Sequence, residues 1–201
     1  MLVAFDFDGT LSDSEMMVLL GEEQGVAEEI TEITERAMND ELSYAESLRE
    51  RADLLFRLDE EAASRAFSRV ELRPGAADVI AALREAGHHV AVLTGGFDRG
   101  VEVDTVVANH LVSRKGHLTG RVEGPLVEGT KDTALEELAA DLGVDMADTV
   151  AVGDGANDLP MLEVAGLAVG YEPKPAVEPH CEVVVESMAE LGDLFEARGL
   201  L

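Results

Sequence analysis

Lysine is almost missing from this chain: Lys115, Lys131 and Lys174 are the only three, 42 side chains are acidic, and the formal net charge is −27. A surface of that sign repels nucleic acid and anionic membranes, so neither is an expected partner. Self-repulsion at this density is tolerable where salt screens charge over a Debye length of about 3 Å at 1 M. The chain is therefore read as adapted to a high-salt cytoplasm, the alternative being a merely acidic, soluble protein. The only cysteine, Cys181, excludes an internal disulfide, and no basic, apolar leader precedes the first structured segment, as expected of a cytoplasmic chain. No apolar run approaches the roughly 20 residues that would cross a bilayer. What is present is apolar material: 46% of 201 residues are hydrophobic, enough for one large domain or a core with a small second unit, and too much for a disordered chain. Oligomeric state, monomer or homodimer, is left open.

Short apolar runs recur and stop at polar clusters. Residues 2–5 stop at Asp6-Phe7-Asp8-Gly9, residues 89–93 at Thr94-Gly95-Gly96, and residues 149–152 at Gly153-Asp154-Gly155, with further runs at Ala168-Val169 and residues 183–185. Helical periodicity fills residues 76–86, 130–142, 159–165 and 188–197 between them. This alternation predicts an α/β fold with a doubly wound parallel sheet, and in such sheets ligands bind beyond the carboxyl ends of the strands, where the polar clusters fall. Residues 14–70 break the alternation with two apolar stripes, Ile30, Ile33, Ala37 and Met38, then Leu48, Ala52, Leu55 and Phe56, the second introduced by the capping-box pattern Ser43-x-x-Glu46. They predict an inserted helical cap over residues 14–73, the core being residues 1–13 and 74–201. Residues 111–122, broken by Lys115-Gly116, predict a hairpin.

The clusters carry the parts of a phosphoryl-transfer site: a positioned nucleophile, cations on the phosphoryl oxygens and a proton donor for the leaving oxygen. Asp6 ends a strand where its carboxylate can attack, and Asp8 points to the same side, able to protonate the leaving alkoxide and later to activate water. By itself Asp-x-Asp-Gly is also an ordinary turn. Thr94-Gly95-Gly96 offers a hydroxyl and backbone N–H groups to phosphate oxygens, or is simply a glycine turn. Lys131 stands at a helix start, where the helix dipole disfavours a cation; it either neutralises phosphate and Asp6 or pairs with Asp132 or Glu128. Asp154 with Asn157 and Asp158 makes a hard oxygen site suited to Mg²⁺ when facing Asp6, unless Asn157 and Asp158 merely cap the next helix.

Asp, Asp, Thr, Lys, Asp and Asp in this order at strand ends resemble the haloacid dehalogenase superfamily of phosphohydrolases. The resemblance implies Asp6 as nucleophile, Asp8 as acid/base and Thr94 and Lys131 as phosphate contacts. It implies a Mg²⁺ site from Asp6, Asp154 and the Asp8 backbone carbonyl, with Asn157 and Asp158 in support. Within the superfamily the chain looks most like the phosphoserine phosphatases, on Phe5 to Leu11, Glu15, Ala37-Met38, Leu42-Ser43-Tyr44, Ser47 to Arg51, Gly95-Gly96-Phe97-Asp98, Leu118-Thr119-Gly120 and Val150 to Asp158. That likeness implies a small phosphate ester as substrate, Glu15 on its ammonium, Arg51 on its carboxylate, and Met38, Tyr44, Gly95, Gly96 and Asn157 around it. Competing local readings are a Ser12-x-x-Glu15 capping box and an Arg51 that reaches toward Glu46 or Glu50. Gly9 departs from the serine usual in that family, and residues 99–110 look too short for part of a helix expected there. A phosphatase or phosphotransferase acting on another small phosphorylated acid, a receiver-like phospho-aspartate switch, and a salt-adapted scaffold without activity are the alternatives.

Overall fold

The structure, a computed structural model, describes residues 1–38, 41–95 and 102–201. Six parallel strands form one sheet: β1 (Leu2–Phe5), β2 (His89–Thr94), β3 (Thr105–Ala108), β6 (Thr149–Gly153), β7 (Leu167–Tyr171) and β8 (Val183–Val185). Their order is β3-β2-β1-β6-β7-β8, so the chain winds outward from β1 on one side, returns, and winds outward on the other. Register pairs Leu2 with His89 and Thr149, and Phe5 with Val92 and Val152. The strand order therefore reverses at β1, and the crevice beyond its carboxyl end is the natural ligand site of such a sheet.

β1, β6 and β7 are buried throughout because helices cover both sheet faces. Alternate side chains separate into two apolar layers. Val3, Phe5, Val90, Val92, Val150 and Val152 pack with α5 (Ala76–Glu85) and α8 (Met188–Ala197). Leu2, Ala4, Ala91, Leu93 and Ala151 face α6 (Lys131–Leu142) and α7 (Leu159–Val164). β3 was not expected: Thr105–Ala108 falls where the sequence suggested a shortened helix, and as a half-buried edge strand of four residues it carries little alternation to reveal it.

Four helices stand between β1 and α5: α1 (Met16–Gln24), α2 (Ala27–Met38), α3 (Tyr44–Leu54) and α4 (Glu60–Phe67). α3 opens on the expected capping box, the Ser43 side chain accepting from the Glu46 N–H while the Glu46 carboxylate accepts from the Ser43 N–H. The stripes are only partly core. Ile30, Leu48, Ala52 and Leu55 are buried, but Met38 and Phe56 are each 53% exposed. Ala37 and Met38 turn toward a cavity rather than into a core, and Phe56 lies beneath the Arg57 guanidinium at 5.5 Å.

The two connections to these helices are tied together. Ser12 pairs with Leu72, the Ser12 hydroxyl donates to Glu71 O at 2.9 Å, and Arg73 N–H donates to Leu11 O at 2.8 Å. Arg73 then reaches the acidic loop: its guanidinium donates to Gly9 O at 3.0 Å, pairs with Glu172 at 2.7 Å and stacks on Tyr171. The expected hairpin is β4 (His110–Arg114) and β5 (His117–Glu123), turning through Lys115 and Gly116, both at positive φ. It grips the inserted segment through Leu118, which exchanges backbone hydrogen bonds with Arg57 and Leu58. None of the described helices is long and apolar enough to cross a membrane.

Candidate active site

β1 and β6 are register neighbours, so the residues that follow them meet: Asp6 and Asp154 are 3% and 5% exposed. Asp158 joins them, fully buried, and one carboxylate oxygen from each of the three lies within 4.8 Å of the others. Lys131, 4% exposed, reaches from the start of α6 to donate to Asp6 Oδ1 and Asp158 Oδ1, each at 2.5 Å. It does not take the local partners the sequence offered, and Glu128 instead pairs with Arg49 of α3. Asp158 is no side-chain cap of α7 either; its Oδ2 accepts from the Asp154 and Gly155 N–H groups at 3.0 and 2.9 Å. The carboxylate thus locks the loop that carries Asp154 and anchors Lys131 at once.

Three buried carboxylates against one buried ammonium leave an excess of negative charge. Burial, then the Asp158 charge, raises Asp6 to about 7, with Lys131 pulling the other way. Burial also raises Asp154, opposed by Lys174, whose ammonium stands 3.1 Å from Asp154 Oδ2. Burial costs Lys131 too, but Asp158 and Asp6 outweigh it and hold the ammonium charged. A hard, all-oxygen donor set short of positive charge fits a Mg²⁺ ion. Asp8 is outside the carboxylate cluster; burial, followed by Asp6 and Glu15, keeps its pKa well above the carboxylate range. Gly9 sits at φ +91°, and a Cβ there would lie 2.7 Å from the Asp154 carboxylate, so glycine allows Asp154 to close over the turn.

Above this floor lies a cavity of about 340 Å³. Asp6, Asp8, Thr94, Gly95, Asp154 and Asn157 line it from the sheet side, and Glu15, Met38, Tyr44 and Arg51 from the inserted helices. Tyr44 reaches across: a Cβ on Gly95 would stand 1.6 Å from its hydroxyl, so the glycine is what lets the two elements touch. The proposed Ser12 to Glu15 capping box does not form, since Ser12 is committed to Glu71 and Ser14, and Glu15 makes no side-chain cap; the Met16 N–H that opens α1 donates to Asp8 Oδ1 at 3.4 Å instead. Arg51 does not reach Glu46 or Glu50, which are held by Ser43 and Arg36; its Nε donates to Ser47 O at 3.3 Å. Gly96, Phe97 and Asp98 lie outside the described residues.

A family model described as haloacid dehalogenase-like hydrolase matches residues 3–163. The chain belongs to this family. A phosphoserine phosphatase of Halobacterium salinarum is 53% identical over 99% of both chains. Among solved structures, a phospho-aspartyl intermediate analogue of phosphoserine phosphatase and a substrate-bound phosphoserine phosphatase complex each superpose with a TM-score of 0.90 at 37% identity, over 96% of this chain and 97% of theirs. Like them, this haloacid dehalogenase-like chain has the parallel α/β core that the strand-and-helix alternation predicted.

Sequence reasoning missed several residues here. Thr10, fully buried, donates to Asp154 Oδ1 at 3.4 Å. Buried Asn109 donates to Gly95 O at 3.1 Å and accepts from Leu126 N–H at 3.0 Å, tying Gly95 at the end of β2 to Leu126. Neither has a local signal, because their partners lie 144 and 14 residues away. Lys174 did have one: it is among only three lysines in a very acidic chain.

Proposed function

We propose that this chain is a Mg²⁺-dependent phosphatase that hydrolyses O-phospho-L-serine to L-serine and phosphate. The observation that carries the reading is the meeting of Asp6, Asp154, Asp158 and Lys131 under a cavity whose opposite wall bears Glu15 and Arg51. In this reading residues 1–13 and 74–201 are the catalytic core and residues 14–73 a cap that shields it from water.

Asp6 attacks phosphorus in line with the ester oxygen; the P–O bond to the serine side chain breaks as the aspartyl-phosphate forms. Asp8, whose pKa burial and then Asp6 and Glu15 raise so that its proton is harder to lose, gives that proton to the leaving alkoxide. It then takes a proton from the water that attacks the aspartyl-phosphate, which restores Asp6 and frees phosphate. Thr94, the Gly95 and Gly96 backbone and Lys131 hold phosphoryl oxygens, Lys131 being oriented by Asp158 and Asn157 lying alongside. Mg²⁺, held by Asp6, Asp154, the Asp8 backbone carbonyl and the support of Asp158, would supply positive charge against the phosphoryl group. Glu15 accepts from the substrate ammonium and Arg51 clamps its carboxylate, while Met38 and Tyr44 close the apolar wall. The engagement of Glu46 and Glu50 elsewhere supports the role of Arg51. The acidic surface supports work in a high-salt cytoplasm and a small-molecule rather than a nucleic-acid partner.

The test is phosphate release from a panel of phosphomonoesters in molar salt, with and without Mg²⁺, and with Asp6→Asn as control. L-phosphoserine should be preferred, and both Mg²⁺ removal and the substitution should abolish turnover. Preference for another ester would overturn the substrate and leave the chemistry; turnover by Asp6→Asn would overturn the chemistry.

A further inference from the structure

Tyr44, Ser47, Leu48 and Arg51 fall at positions i, i+3, i+4 and i+7 of α3, and all four line the cavity. Ser47 is the one without an evident purpose. It is 1% exposed, yet its hydroxyl has no hydrogen-bond partner among the described residues. A serine inside a helix ordinarily satisfies its hydroxyl on the carbonyl one turn back. Here the Ser43 carbonyl serves the Ser47 N–H at 2.9 Å and the Ser47 hydroxyl leaves it alone. A buried polar group facing a cavity without a protein partner implies one that the cavity's occupant supplies.

The position of Arg51 says which part of the occupant. Its Nε donates back to the Ser47 carbonyl at 3.3 Å, which holds the guanidinium beside Ser47, and its remaining N–H groups have no hydrogen-bond partner among the described residues. No ion pair to Arg51 exists among the described residues, which leaves those donors for an anion. A carboxylate received there comes within reach of the hydroxyl one turn away, and it has lone pairs beyond those a guanidinium can fill. We infer that Ser47 is a specificity-determining residue whose hydroxyl donates to the substrate carboxylate beside Arg51. The inference rests on the phosphoserine reading and deepens it: the carboxylate subsite is a Ser47 and Arg51 pair on one helix face.

The experiment compares L-phosphoserine with O-phosphoethanolamine, which keeps the phosphate and the ammonium and lacks the carboxylate. For Ser47→Ala the ratio of kcat/KM for L-phosphoserine to that for phosphoethanolamine should fall about tenfold, with the loss in KM, the low end for a hydrogen bond to a charged group. Ser47→Thr, which retains a hydroxyl, should recover most of the ratio. A Ser47→Ala enzyme with the wild-type ratio refutes the role, whether both esters suffer equally, as packing or an ammonium contact would give, or neither suffers. If wild-type enzyme itself shows no preference between the two esters, the carboxylate subsite is absent and the substrate reading has failed.

Discussion

Replacing Lys131 by Met should destabilise the metal-free protein severely, and the size follows from its surroundings. The ammonium is 4% exposed and sits 2.5 Å from two carboxylates that are as buried as itself. Met fills a similar volume but leaves Asp6 and Asp158 facing each other without a cation. Removing one member of a buried ion pair costs about 3–5 kcal/mol, because the partner remains desolvated and unpaired. Asp6 can take up a proton instead, since burial and Asp158 already raise it to about 7, so the lower end applies. For a chain of this length, about 3 kcal/mol corresponds to a fall in Tm of about 6–12 °C. The assay is thermal unfolding by circular dichroism in molar salt with a chelator present. Asp158→Asn provides the internal check: it removes the charge that Lys131 balances, so the double variant should lose less than the sum of the singles by about 1–3 kcal/mol. A fall below about 2 °C for Lys131→Met, or strict additivity with Asp158→Asn, would refute a buried charge cluster held by this lysine.

Arg51→Ala should weaken kcat/KM for L-phosphoserine by about 1.5–3 kcal/mol and spare an uncharged aryl phosphate; equal loss on both would contradict a carboxylate clamp. Arg73→Met, which removes the ligand of Gly9 O, the ion pair to Glu172 and the contact with Tyr171, should cost about 2 kcal/mol, read as a Tm lower by about 4–8 °C. With a net charge of −27, the chain should lose stability steadily on dialysis from molar salt to dilute buffer, and a Tm indifferent to salt would argue against the halophilic reading. Mg²⁺ at a hundred times its Kd should add about 2.7 kcal/mol to unfolding; Asp154→Asn should shrink that gain, and an unchanged gain would place the ion elsewhere.

The pieces readable along the chain were those whose signal is local. β1, β2 and β6 announce themselves as apolar runs that stop at acid or glycine, and α3 as a capping box ahead of a stripe. Asp6, Asp8, Thr94, Lys131 and Asp154 were marked because each stands where an element begins or ends, and parallel pairing gathers such ends at one edge of a sheet. β3 escaped because an edge strand of four half-buried residues has almost no pattern, and periodicity alone could not part Met38 from the core stripe, because an apolar residue facing a cavity looks the same in sequence as one facing a core; the family likeness was what put Met38 at the substrate.

Sequence alone thus determined the sheet-and-helix alternation, the charge and the set of reactive residue types, since backbone periodicity and composition are properties of neighbours. Folding decided the rest: whether Lys131 chose Asp132 or Asp158, whether Ser12 capped α1 or tied the two connections together, and which serine of α3 was buried without a partner. Those outcomes depend on distances between residues far apart in the chain, and a short-range, direction-dependent bond is fixed only when packing brings its two ends together.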